Sequence, residues 1–208
     1  MDEDVPPMER NNRKRRKKLL VSARALFDTQ GFEQTTVAQI AKAAHTALRT
    51  VYNFFPAKLD ILGTLILEEM TDGVSEGLAE LGPLPESPCD GLLRLLEMYA
   101  RVVARIPRNE GRMFTAHAIT TGGATLAGRI NATTDKMFHD GILDLLTDYR
   151  DRGALPGDMN LDAVARLIFF GASGLYLMWV TDDDMTLDQL RKLLREQVCV
   201  LFPPGMDR

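Results

Sequence analysis

Cysteine, histidine and tryptophan are scarce in this 208-residue chain, with two, three and one of each. Cys89 and Cys199 lie 110 positions apart. Neither has a C-x-x-C partner or a histidine at ligand spacing, so both read as reduced, ordinary thiols, a disulfide or a metal site being the alternative. No metal and no cofactor is expected. Long hydrophobic runs are also missing. The best, from Val164 to Val180, is broken by Arg166, Gly171, Ser173, Gly174 and Tyr176, short of the roughly 20 residues a membrane span requires. The opening Met-Asp-Glu-Asp-Val-Pro-Pro has no basic flank before an apolar core, so no secretory signal and a cytoplasmic protein are expected. Catalytic signatures are lacking too: there is no H-E-x-x-H and no G-x-G-x-x-G, and Gly122-Gly123 is not followed by the Lys-Ser or Lys-Thr of a phosphate loop. His45, His117 and His139 form no constellation with the dispersed acids, and no enzyme is expected.

What is present is a core-forming composition, 45% hydrophobic and 26% charged, enough for one or two ordinary domains and incompatible with disorder or fibrous repeats. The net charge of -4 hides an uneven distribution. Asp2, Glu3, Asp4 and Glu9 make the first nine residues acidic, whereas from Arg10 to Lys58 eleven Lys or Arg face only Asp28 and Glu33. The remainder holds 14 bases and 23 acids. A basic segment on an acidic body suits a protein that places one end against a polyanion. Within it, Arg13-Lys14-Arg15-Arg16-Lys17-Lys18 sets six cations at a helix start, against the helix dipole and against one another. Phosphate would relieve both penalties; a solvated helix start is the plainer alternative.

Apolar spacing gives helices throughout. Leu19, Leu20, Ala23, Leu26 and Phe27 share one face of a helix over residues 13 to 30, which Gly31 ends. Thr35 or Thr36 can cap a short helix with Val37, Ile40 and Ala41 inside. After a break at His45 and Thr46, Leu48, Val51, Tyr52 and Phe55 mark another short helix that Pro56 stops, and two short helices joined by a tight turn describe a helix-turn-helix. Lys58 opens a long helix reaching the Leu81-Gly82-Pro83-Leu84-Pro85 breaker. Further helical patterns follow over 92 to 106, 113 to 121, 126 to 152, 161 to 180 and 187 to 202, with no convincing strand.

From Lys17 to Leu62 the pattern A-x-x-L-F-x-x-x-G-F, then T-T-V-x-x-I-A-x-A-A, then T-V-Y-x-x-F and a following Lys resembles the tetracycline-repressor (TetR) family of bacterial transcription regulators. The turn departs from that pattern: His45-Thr46-Ala47 stands where the family usually has Gly, an apolar residue and Ser. His in a left-handed position carries a cost that Gly avoids, and Ala47 cannot cap the next helix.

The resemblance implies an all-α protein in three parts. These are a flexible acidic tail over 1 to 12, a three-helix helix-turn-helix DNA-binding domain over 13 to 63, and a helical effector-binding and dimerisation domain over 64 to 208. The second short helix, with its first turn from Ala47 nearest the base edges, would enter the major groove of a palindromic operator. Arg49 is the residue placed to read a base, through guanine O6 and N7, phosphate contact being its alternative. Leu48 and Thr50 would offer apolar surface to a thymine methyl or pack locally. Arg15, Arg16, Lys17, Thr36, Tyr52 and Lys58 are assigned to phosphates, which set register without reading sequence. Asn53 and Gln39 rank behind Arg49.

In the larger domain, Tyr99, Met113, Phe114, His117, Met137, Phe138 and Trp179 are the candidates for a small, largely apolar effector, His117 foremost among the polar ones, although ordinary core packing explains such residues equally well. Small residues 171 to 174 and the stripe Leu190, Leu193, Leu194, Val198, Leu201 and Phe202 would pair two copies across a two-fold axis, or pack within one chain. A repressor released by its ligand is the expected function. A regulator of the same fold that answers to a protein partner, or to nothing, is the alternative.

Overall fold

The computed structural model describes residues 6–123 and 125–202, and these form nine helices and no strand. The first, α1 (Pro7–Gln30), starts well before residue 13, where the apolar pattern begins. Pro7 supplies a pre-set φ at the first helical position, and Glu9 sits 2.8 Å from Arg13 one turn on, placing one anion near the positive end of the dipole. Periodicity is silent here because residues 8 to 15 are exposed all round. Residues 8 to 12 of the expected flexible tail are therefore helical, and residues 1 to 5 lie outside the described ones.

Gly31, at φ 84°, ends α1. Thr36 caps α2 (Val37–Ala43): its Oγ1 accepts from the Gln39 backbone N–H at 3.2 Å, and Gln39 Oε1 accepts from the Thr36 N–H at 2.7 Å. This reciprocal pair satisfies two orphan donors of a helix too short to hold itself. Thr35, the other capping candidate, is buried and donates to the Gly31 carbonyl at 2.8 Å. The turn into α3 (Leu48–Phe54) carries His45 at φ 51°, the left-handed conformation expected of it, and the cap position Ala47 has no side-chain bond to give. Leu19, Leu20, Ala23, Phe27, Ile40, Val51 and Phe55 close the core of this three-helix head.

α4 (Lys58–Glu80) leaves the head without interruption and crosses the expected boundary at 63 and 64, so the two parts share a helix. The body is completed by α5 (Pro88–Val103), α6 (Arg108–Thr121), α7 (Leu126–Asp151), α8 (Leu161–Thr181) and α9 (Leu187–Leu201). Two of these start earlier than the apolar spacing indicates. α5 is capped by Ser87 and opens on Pro88. The first turn of α6 is polar and held by tertiary contacts instead: Arg108 donates to the Asp182 carbonyl at 3.1 Å and lies 4.3 Å over the Trp179 ring, and Arg112 donates to the Val180 carbonyl at 2.9 Å.

α8 is 21 residues long and, among the described residues, apolar enough by length and composition to cross a membrane, contrary to the reading that no stretch reaches that measure. Helical continuity through Gly171 and Gly174 joins pieces that look separate in sequence. Its Leu167, Phe170, Leu177 and Met178 face outward with Val200 of α9. Cys89 and Cys199 are unbonded, but the fold brings their Sγ atoms to 3.8 Å across α5 and α9, a proximity invisible in their sequence separation.

The vacant cap of α3 generates a test. Ala47→Ser supplies the missing acceptor and is expected to raise unfolding free energy by about 1 kcal/mol, read as a higher urea midpoint at unchanged slope. An unchanged midpoint would mean that the hydroxyl does not reach the first turn.

Candidate nucleic-acid interface and ligand cavity

α3 buries Val51 in the core of the head, next to α2, and turns the opposite side outward. Ala47, Leu48, Arg49, Tyr52 and Asn53 are exposed along it, Leu48 by 43% and Tyr52 by 48%, while Thr50 is half-buried. Two large apolar side chains held in water on a helix whose other face is core form a surface suited to contact another molecule. Arg49 stands among them with no ion pair among the described residues.

The remaining candidates divide by what already holds them. Arg15 and Lys17 are exposed on α1, and neither is engaged in an ion pair among the described residues. Arg16 points instead toward α4, 5.3 Å from the Phe55 ring and 3.9 Å from Glu68. Thr36 and Gln39 remain exposed, but their side chains are spent on the α2 cap. Lys58 departs most from its assignment to phosphate. Its Nζ donates to the carbonyls of Phe32, Thr35 and Glu33 at 2.8, 2.9 and 3.3 Å, and lies 4.2 Å from the Phe32 ring. An ammonium has three protons, and here the α1–α2 loop takes all of them. Desolvation holds the Lys58 pKa below the ordinary lysine value, against the opposing pull of Glu33. Lys58 is a staple between α4 and the head.

The body holds a cavity of about 380 Å³ between α4, α5, α6, α7, α8 and α9, open to solvent past Ile119 and Phe170, within the range that binds small ligands. Of the candidates, Tyr99, Phe114 and Phe138 line it, joined by Ile66, Met70, Phe169, Phe170 and Tyr176. Met113, His117, Met137 and Trp179 do not. At about 100° per residue, Gly111, Phe114, Thr115 and Ile119 fall in one sector of α6, and Met113 and His117 lie outside it. On α7 the same argument admits Asn131, Thr134, Asp135, Phe138 and Ile142 and excludes Met137. Trp179 is buried beneath Arg108 instead.

The polar groups missed by the sequence reading are Thr115, Asn131, Thr134, Asp135 and Ser173. Asn131 Nδ2 donates to Asp135 Oδ2 at 2.9 Å, and burial pushes the Asp135 carboxyl above its usual range. The signal was available: two polar residues four apart, in phase with Phe138 and Ile142.

Two contacts connect cavity and head. A β-carbon on Gly63 of α4 would stand 2.3 Å from Cε2 of Phe114, so only glycine lets that cavity ring lie directly on α4. Beside it, buried Glu110 of α6 lies 3.4 Å from Arg24 of α1, which also approaches Asp28 at 3.6 Å. Burial raises the Glu110 pKa, and Arg24 opposes the rise.

Residues 19–65 match the family model described as bacterial regulatory proteins, tetR family. The HTH-type transcriptional repressor KstR of Rhodococcus jostii is 24% identical over 133 residues, 64% of this chain, and the match spans 61% of that relative, less than two thirds of its length. FadR of Thermus thermophilus, a TetR-family transcriptional repressor solved in complex with lauroyl-CoA, superposes with a TM-score of 0.68 at 25% identity, over 93% of this chain and 96% of that one. FadR of Bacillus subtilis, solved with stearoyl-CoA, shares the fold with a TM-score of 0.60 at 20% identity, over 90% and 97%.

If Lys58 serves as a staple, Lys58→Met is expected to cost about 2 kcal/mol of stability, because three carbonyls of the α1–α2 loop lose a charged donor. The check is chemical denaturation of the full chain. A variant as stable as the parent would return Lys58 to the list of free cations.

Proposed function

The chain belongs to the TetR family of bacterial regulatory proteins, and on that premise we propose that it is a cytoplasmic, homodimeric transcriptional repressor that binds a palindromic operator and is released by a small, largely apolar ligand. The observation that carries this reading is that one helix joins the exposed head to the cavity. α4 begins at the head that exposes Arg49 and passes Ile66 and Met70 through the cavity wall.

At the head, α3 enters the major groove and Arg49 engages a guanine edge, with Leu48 against a thymine methyl. Arg15, Lys17 and Tyr52 hold phosphates and fix the register. Thr36 and Asn53 flank this surface. The outward Leu167 and Met178 of α8, with Val200 of α9, supply the face on which a second copy packs, beside Phe170 and Leu177 at the mouth of the cavity. Such pairing sets two reading helices one helical turn of DNA apart.

Release follows from differential binding. A ligand in the cavity meets the Phe114 ring, and that ring rests on Gly63. Displacing it pushes α4 at the point where it leaves the head, while α6 carries Glu110 against Arg24 of α1. The ligand lowers operator affinity by the ratio of its affinities for the two arrangements, and one that binds both equally releases nothing. The lauroyl-CoA and stearoyl-CoA complexes of the two FadR proteins support an apolar body for the ligand.

Salt-dependent binding separates the assigned roles. Arg15→Gln and Lys17→Gln are each expected to weaken binding to every duplex and to lower the salt slope by about one. Arg49→Ala is expected to cost about 1 to 3 kcal/mol of discrimination at one base position. Identical losses of slope and of discrimination in all three variants would overturn the division between reading and positioning.

A further inference from the structure

The cavity is apolar but not uniformly so, and the sign of its polar end is informative. Six aromatic rings line it, those of Tyr99, Phe114, Phe138, Phe169, Phe170 and Tyr176. No Lys, Arg or His is among the lining residues, and Asp135 is the one ionisable acid that faces the space. It makes no ion pair among the described residues. Its single hydrogen bond comes from Asn131 Nδ2, which leaves Asp135 Oδ1 and Asn131 Oδ1 both as acceptors. The polar end thus pairs a carboxylate with an amide carbonyl and holds no cation, although hydroxyls of Thr115, Thr134 and Ser173 also line the cavity. A half-buried carboxylate without a counter-ion is less stable than a solvated or paired one, and a ligand that brings the opposite charge recovers that cost.

We propose that the effector is an amphipathic amine, whose apolar body fills the aromatic cavity and whose protonated nitrogen meets Asp135 and Asn131. Aromatic faces around a cation add attraction that they would deny an anion. A carboxylate or phosphate placed at the same point would set like charges together in a poorly solvated space with no cation to receive it. Burial already holds the Asp135 carboxyl above its usual range, the direction expected of an acid that lacks its counter-ion. This inference rests on the reading of the cavity as the effector site. It departs from the acyl-thioester ligand of the Thermus thermophilus relative.

The experiment is calorimetric titration of the full-length chain with n-octylamine, n-octanol, n-octanoate and lauroyl-CoA, repeated on Asp135→Asn, with operator release followed in parallel. The amine is expected to bind at least about tenfold more tightly than octanoate. Asp135→Asn is expected to weaken the amine by about tenfold or more and to leave octanol within about threefold. Octanol binding shows that the variant's cavity is intact. Octanoate or lauroyl-CoA binding as tightly as the amine, amine binding indifferent to Asp135→Asn, or no binding by any probe would each overturn the amine assignment. Release of DNA by octanoate or lauroyl-CoA would sink the amine and keep the ligand-released repressor. Amine binding that depends on Asp135 yet leaves DNA bound would keep the ligand class and sink release by ligand.

Discussion

The contact on which the molecule depends is the ring of Phe114 lying on the bare backbone of Gly63. It is where the cavity meets the helix that bears the head. α4 contains 23 residues, about 35 Å of stiff rod, and a rigid helix transmits a displacement only if something pushes it near its pivot. The Lys58 staple on the α1–α2 loop ties the start of that rod to the head. Gly63 lies little more than a turn further on, so a small movement of the ring acts close to the joint. Packed interiors do not deform smoothly. In the proposed release, a ligand that displaces this ring would give the helix two arrangements rather than a continuum.

The head is held by local means suited to two helices of seven residues each. The Thr36 and Gln39 box holds one, and burial of Val51 holds the other without any cap. His45 in a left-handed conformation and Ala47 at a cap position are two local costs at one turn. They leave the second helix dependent on tertiary packing, while its outer face remains free for contact.

Much of this was legible in the chain. The all-α class, the helix-turn-helix and the limits of α7 to α9 follow from apolar spacing, Gly and Pro punctuation and cap residues, which are local signals, whereas the left-handed His45 was expected from the family resemblance, which has Gly at that turn. The early start of α1 was hidden because an exposed polar helix has no apolar period. The start of α6 was hidden because Arg108 and Arg112 gain their partners from residues some seventy positions away. Lys58 looked like a phosphate ligand for the same reason, since the carbonyls that hold it belong to another part of the chain. In the cavity, residue type alone pointed to Met113, His117, Met137 and Trp179. Helical phase decides which side chains face the space, and it selects Phe114, Thr115, Asn131 and Asp135 instead.

The central claim is that an occupied cavity and a DNA-bound head exclude one another. The direct measurement is the affinity of the purified protein for its own upstream DNA and for a random duplex of equal length, at one salt concentration, with and without a ligand that fills the cavity. The account predicts a preference for the upstream DNA of about 10³ or more, which collapses when the cavity is filled. Equal affinity for both duplexes, or a preference that survives a filled cavity, would contradict it.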